Sequence, residues 1–473
     1  MDTERVIAHV DRVWCDEILP SLCEYVAIPA LSPSFDPEWV ANGHIERAVE
    51  LISDWCRARA VPGATLDVMR LPGLTPLVIV DVPATRGCRT DETVVLYGHL
   101  DKQPEMTGWR DDLGPWKPVV EGDKLYGRGG ADDGYAAYAS LTALEAVHAA
   151  GGEHARCIVL IEASEESGST DLPAYVDALG DRIGTPGLVL CLDSGCADYE
   201  HLWVTTSLRG IVNLELTVDI LTEGVHSGDA SGAVPSSFRI ARQLLSRVED
   251  ETTGRILLPD LHAEMPADRL QEVRDEAAVL APGMTAPFPF VPGARPTIDD
   301  PVDQLLARTW LPTMSVTGAD GIPPTAIAGN VLRPFTRLLL SFRLPPTVDP
   351  GVALAALERV LTADSPYGAH VTVRSGHGGP GWNAPSFAPW LWDSLQRASQ
   401  AAWGTPAVAW GEGGTIPFMG MLGASFPAAQ FVITGALGPG ANAHGPNEFL
   451  HLPCARRVTT TLAVVLHDHA TRT

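Results

Sequence analysis

The chain contains no stretch of about 20 consecutive apolar residues, so nothing in it reads as a membrane-spanning helix. Its first residues, MDTERVIAHVDRVW, have neither a basic start nor an apolar core. No secretory signal is expected there, and a cytoplasmic setting is. Cysteine is sparse and scattered. The eight thiols, Cys15, Cys23, Cys56, Cys88, Cys157, Cys191, Cys196 and Cys454, form no CxxC pair and are expected to be buried and reduced. Lysine is nearly missing: Lys102, Lys117 and Lys124 are the only three in a chain of net charge −25. Such a surface repels phosphate, which argues against nucleic acid or an anionic membrane as partner. Two catalytic signatures are absent as well. There is no GxSxG elbow and no HExxH helix. The run Gly-Arg-Gly-Gly-Ala-Asp (127–132) lacks the third glycine of a dinucleotide loop and the Gly-Lys-Ser/Thr of a phosphate loop.

What is present is a large, core-forming chain. With 473 residues, 45% of them hydrophobic, and a mean hydropathy of +0.07, it has material for two or three domains. The first 60 residues keep helical apolar spacing, clearest in Val49, Leu51, Ile52, Trp55 and Cys56. Three short, nearly all-apolar runs follow: 93–100, 157–163 and 187–193. Continuous apolarity suits parallel strands covered on both faces. A helix is expected over Tyr135–Ala150 between the first two. Near residue 205 the pattern changes. Leu208–Ile220 and Arg337–Leu344 alternate apolar and polar, as an antiparallel sheet with one wet face does. After residue 383 a helix (Trp390–Trp403) and a buried-type strand (429–435) resume. The expected fold is α/β. A mixed, largely parallel sheet has helices on both faces and carries an inserted α+β domain with an antiparallel sheet. The expected boundaries are 1–206, 207–382 and 383–473.

Chemistry gathers where those strands end. Strand 93–100 delivers His99 and Asp101. Strand 157–163 runs into Glu165 and Glu166, and strand 187–193 ends in Asp193. Strand 429–435 leads to His444, and Asp132 lies in the loop between the first two strands. Ligands of open α/β sheets bind beyond the carboxyl ends of the strands. Folding requires no acid or imidazole there. Each residue alone has an ordinary explanation, as a helix cap, a turn or a solvated loop, but five together do not. His99, Asp132, Glu166, Asp193 and His444 form the donor set a zinc-like ion prefers.

The motifs YGHLDKQP, LYGRGGADDG, EASEESGS, CLDSG and GANAHGPNE resemble those of the M20 metallopeptidases, in particular the carnosine dipeptidase and cytosolic non-specific dipeptidase branch. Order and spacing match over nearly the whole chain. The resemblance implies two divalent ions, zinc or else manganese or cobalt, bridged by Asp132. His99 and Asp193 would complete one ion's ligands, and Glu166 and His444 the other's. It makes Glu165 the general base and Asp101 the residue that orients His99. The inserted domain would be a lid that also forms a homodimer. Its His226 would reach the partner's site to stabilise the oxyanion, and Arg343 would grip a substrate carboxylate. Asn330, Gly414 and Thr415 would face the substrate.

The sequence departs from this pattern in one place. Members often have Asp-Asp-Lys-Gly after Gly-Arg-Gly, where this chain has Asp132-Asp133-Gly134-Tyr135. A positive charge beside the metals is lost, and Tyr135 is expected to add a bulky group near the pocket. The substrate implied is a dipeptide or similar small amide. The alternatives are an N-acyl amino acid, through a deacylase or other specialised amide hydrolase of the same family, and a non-catalytic scaffold stabilised by metal.

Overall fold

The computed structural model describes residues 1–284, 288–414 and 417–472. They form two compact units. The first joins Met1–Thr206 to Ala384–Trp410 and Met421–Thr473; the second comprises Ser207–Asn383 and Gly411–Gly420.

In the first unit, helix α1 (Thr3–Val13) starts on an Asp2 side chain that accepts the Arg5 N–H, and it buries Val6, Val10 and Val13 along one stripe. Helices α2 (Leu19–Val26) and α3 (His44–Arg57) follow. Strands β1 (Thr65–Met69), β2 (Leu77–Val82) and β3 (Thr93–His99) come next, then helix α4 (Ala136–Ala149). Strands β4 (Cys157–Glu162), β5 (Pro186–Cys191) and β6 (Trp203–Leu208) precede the second unit. Helix α5 (Pro389–Ala402), strand β7 (Gln430–Ile433) and helix α6 (Leu452–Thr471) complete the first.

Seven strands of the nine-stranded sheet run β1-β2-β4-β3-β5-β7-β6, and the short strands Trp382–Asn383 and Val408–Glu412 both pair with β6. Its centre, β4-β3-β5-β7, is parallel. β1 and β2 on one side and β6 on the other pair antiparallel. Every residue of β3 and β4 is buried, which requires cover on both faces. α4 is part of that cover. It packs on β3 and is itself overlain by α1 and α6, which explains its alanine-rich sequence. The parallel centre points the carboxyl ends of four strands the same way, and loops from these ends carry the candidate chemistry.

The second unit is built on an antiparallel sheet of four strands in the order Thr313–Asp320, Phe335–Leu344, Gly210–Asp219 and His370–Gly379. Val212, Leu214 and Leu216 alternate with less buried positions, as one-sided packing demands. They meet Leu338, Leu340 and Phe342 and the apolar faces of helices Ser237–Leu245 and Pro350–Thr362. Gly411–Gly420, which the sequence placed with 383–473, belongs to this unit.

Candidate metal centre

His99 is the last residue of β3 and is buried. Its ring is fixed on both sides. Nδ1 lies 3.1 Å from the backbone carbonyl of Asp101, and Nε2 lies 3.2 Å from Asp132 Oδ1. The other oxygen of Asp132, Oδ2, is 3.0 Å from His444 Nε2. Asp132 thus presents one oxygen to each histidine. Asp193 approaches His99 from beyond β5 at 3.8 Å, and Glu166 approaches His444 at 3.4 Å.

Asp101 acts on the other loop as well. Its carboxylate accepts the backbone N–H groups of Glu165 at 3.1 Å and Glu166 at 3.0 Å. That same carboxylate stands 3.6 Å from His99 Nδ1, so one side chain ties the end of β3 to the loop after β4. Gln103 donates to Glu166 Oε2 at 2.6 Å, while Glu166 Oε1 is buried without a hydrogen-bond partner. One oxygen is committed and the other is left for a ligand.

His444 is held in an unfavourable backbone. Its φ is +63°, flanked by Asn442 at +56° and Asn447 at +60°. A left-handed residue other than glycine costs about 1–2 kcal/mol, and the neighbours supply the hold. Arg128 Nη2 donates to the Gly445 carbonyl at 2.8 Å, Arg128 Nη1 pairs with buried Glu448, and Glu448 also accepts the Gly129 N–H at 2.8 Å. Arg128 and Glu448 therefore join the Asp132 loop to the His444 loop.

The electrostatics call for cations. Asp101, Asp132, Asp133, Glu165, Glu166 and Asp193 converge on the site. Burial, then the charge of Asp193, pushes the Glu165 carboxyl well above its usual range. Burial and Asp132 do the same to Glu166. Burial would also raise Asp132, but its contacts with His444 and His99 outweigh it and hold that carboxyl low. Burial opposes charge on His99, yet Asp101 and Asp132 keep the imidazole well above its ordinary value. Ligand atoms of His99, Asp132 and Glu166 lie within 4.8 Å of one another, as do those of His99, Glu165 and Asp193. With the orphaned Glu166 oxygen, these nitrogen and carboxylate donors fit a divalent ion.

The remaining expected residues lie elsewhere or play other parts. His226, Asn330, Arg343 and Gly414 are in the second unit. His226 pairs in register with Val331, and the Ser227 N–H donates to the Asn330 carbonyl at 2.9 Å, so the His226 and Asn330 segments are neighbours. The His226 ring is exposed, with Nδ1 accepting the Gly228 N–H. Arg343 is half-buried beside Thr313 on the neighbouring strand, and burial lowers its pKa. Gly414 is exposed, and Thr415 lies outside the described residues. Tyr135, the bulky group expected near the pocket, stands next to the Asp193 segment. It is fully buried and donates to the Leu192 carbonyl at 2.8 Å. Gln103, Arg128 and Glu448 were missed. Charged or amide residues set among glycines and prolines beside the ligand motifs were the signal available.

The profile of peptidase family M20/M25/M40 matches residues 95–468. The chain belongs to this family. Peptidases of the family are metal-dependent, and this M20 peptidase carries the candidate ligands. It is 29% identical over 369 residues to the cysteinylglycine-S-conjugate dipeptidase of Corynebacterium striatum, covering 75% of this chain and 76% of that one. It is 25% identical over 384 residues to human Beta-Ala-His dipeptidase, covering 76% and 70%. In fold it is similar to the dipeptidase Dug1p of Saccharomyces cerevisiae, with TM-score 0.74 at 20% identity over 99% of this chain and 98% of that one. No described helix is long and apolar enough to cross a membrane.

Proposed function

We propose that this M20 peptidase hydrolyses the amide bond of dipeptides, or of similarly small substrates with a free terminal carboxylate, at a two-ion centre that prefers zinc. The observation that carries the reading is Asp132. One of its oxygens faces His99, which Asp193 also approaches, and the other faces His444, which Glu166 also approaches. Such a carboxylate would suit sharing between two ions, one of which His99 and Asp193 would help hold and the other Glu166 and His444. Two cations held there would polarise the scissile carbonyl and acidify the attacking water.

The protein's own groups do the rest. Glu165 takes the proton from the water and passes it to the leaving amine. Its backbone, pinned to Asp101, keeps its carboxylate near His99 and Asp193. Divalent charge beside it would reverse the effect of the surrounding acids and leave it ionised as a base. Arg343 pairs with the substrate's terminal carboxylate, for which a guanidinium fork is suited. His226, whose Nδ1 is occupied by Gly228, offers Nε2–H to the developing oxyanion of a partner subunit's substrate. Asn330, next to it, and the Gly414–Thr415 backbone complete the substrate contacts. The homodimer this requires is supported by Thr313–Asp320, which ends the order of its sheet and offers an edge for pairing. All eight cysteines are free thiols, which supports a cytoplasmic location.

The test is a screen of metal-loaded protein against dipeptides and N-acyl amino acids, with chelated protein as control. Dipeptide turnover that disappears on chelation and returns with Zn²⁺, Mn²⁺ or Co²⁺ is expected. Full activity in metal-free protein refutes the reading, and turnover confined to N-acyl amino acids moves the substrate to the deacylase class.

A further inference from the structure

Two cysteines far apart in sequence meet within the first unit. Cys196 lies three residues beyond Asp193, and its N–H donates to the Leu437 carbonyl at 3.1 Å. Cys454 sits in the first turn of α6. Its N–H donates to the His451 ring at 3.3 Å, and its sulfur stands 3.9 Å from the Gly435 carbonyl. Both sulfurs therefore face the 435–438 turn, where Cys196 Sγ packs against Gly438. There the two side chains are neighbours, close enough for each thiol to act on the other. Both thiols are buried, and beside them the Tyr199 ring also packs on Gly438 and stacks on His451 at 4.0 Å.

This pair differs from the protein's other thiols. Burial pushes Cys56, Cys157 and Cys191 up. At Cys454 the neighbouring Cys196 thiol outweighs burial and, with His451, brings the thiol down to about 6. A helix N-terminus and a basic neighbour favour thiolate in the same sense. The pair is also placed where a covalent link has consequences. Cys196 continues the segment that carries Asp193, and Cys454 closes the segment that carries His444 and Glu448.

We propose that Cys196 and Cys454 form an oxidisable dithiol, a modification site for small hydroperoxides, whose disulfide staples the Asp193 segment to the His444 segment. One thiol attacks the peroxide oxygen; the O–O bond breaks, the sulfur becomes a sulfenic acid and one water leaves. The second thiol attacks that sulfur; the S–O bond breaks, the S–S bond forms and a second water leaves. Two electrons pass from the thiol pair to the peroxide, and an external dithiol reverses the change. The inference uses the functional reading only in placing ligands for two ions on the two stapled segments.

The experiment treats metal-loaded protein with hydrogen peroxide, blocks remaining thiols, and maps peptides by mass spectrometry without reduction. A Cys196–Cys454 linked peptide is expected at the lowest effective dose and disappears after dithiothreitol. In Cys196→Ser, Cys454 should stop at the sulfenic acid and be captured by dimedone. Because the staple closes a long loop, oxidised protein should melt several degrees higher and lose metal to a chelator severalfold more slowly. Cys196→Ser should show neither change, and Cys454→Ala gives the same comparison should one variant fold poorly. Oxidation of other thiols before this pair, or a linked peptide that leaves the rate of metal loss unaltered, overturns the proposal. Dipeptide hydrolysis by reduced protein is scored separately, so failure of the staple is distinct from failure of the functional reading.

Discussion

Glu276 lies on the helix Ala267–Leu280 of the second unit, well away in sequence from the ligand motifs, and it offers a sharp test of the electrostatic reasoning. Its side chain is 1% exposed, and Oε2 has no hydrogen-bond partner. Burial raises its carboxyl from the usual 4.5 to about 8; Arg308 opposes this, and Glu412 and Glu272 add to it, while the Gly411 N–H donates to the carboxyl. The sign follows from linkage. An acid whose folded pKa is raised contributes stability that is complete below its unfolded pKa and is lost as pH climbs to the folded value. At 1.36 kcal/mol per unit, the loss between pH 5 and pH 8 is about 3–4 kcal/mol. Glu276→Gln keeps an acceptor for Gly411 and cannot ionise, at a cost of about 1–3 kcal/mol for its buried amide hydrogens. Wild type should therefore be the more stable at pH 5 and the variant at pH 8. Urea unfolding of both proteins across that range measures the difference, in which other titrating groups cancel. Parallel stability curves would refute the assignment of Glu276 as a buried neutral acid.

Three further outcomes are expected. Glu165→Gln should retain both metal ions by elemental analysis and lose hydrolysis; turnover within tenfold of wild type would remove Glu165 as the base. Gln103→Leu frees Glu166 Oε2 from its amide donor, so affinity for one of two ions should fall about 10–100-fold, with hydrolysis recovering at saturating metal; unchanged metal titrations would show that the Gln103 contact is incidental. His226→Ala and Arg343→Ala should each be inactive yet regain part of the activity when mixed, if the two residues serve one site from different subunits, and absence of complementation would count against the shared arrangement.

The elements most legible in the sequence were those with an unbroken hydrophobic signal. The run 93–100 became β3 (Thr93–His99) and 157–163 became β4 (Cys157–Glu162), because the middle of a strand buried on both faces is apolar and leaves polar residues to its ends. The alternation of Leu208–Ile220 likewise became Gly210–Asp219. Convergence of the candidate ligands was legible because parallel strands point their carboxyl ends one way. What was not legible arises from contacts between distant segments. Arg128 and Glu448 are 320 positions apart, and neither sits in a spacing that announces the other. Asp101 was expected to orient His99, but periodicity gives no hint that its carboxylate accepts the N–H groups of Glu165 and Glu166. Nor could it show that Gly411–Gly420 leaves the surrounding C-terminal segment to join the second unit.

The departure at Gly134 and Tyr135 can be argued through to its own test. Loss of a lysine there removes a positive charge, and the structure shows that no side chain fits at Gly134 without displacing its neighbours. A Cβ on Gly134 would lie 2.1 Å from the Tyr25 ring and 2.6 Å from the Gly129 carbonyl, which is backbone and cannot swing aside. Tyr25 is itself committed, fully buried with its hydroxyl donating to the Leu100 carbonyl at 2.8 Å, beside His99. The next residue continues the pattern, since the Tyr135 hydroxyl holds the Leu192 carbonyl beside Asp193. Two tyrosines thus brace the strand ends that present two candidate ligands, and Gly134 is what permits the first to sit there. Gly134→Ala should cost at least about 3 kcal/mol, as overpacking against backbone does, whereas Tyr135→Phe should cost about 1 kcal/mol for one lost hydrogen bond. Both should weaken metal binding more than a surface change of equal stability cost does. If Gly134→Ala folds with wild-type stability and metal affinity, the position is open after all, and the missing lysine again becomes a statement about substrate rather than about packing.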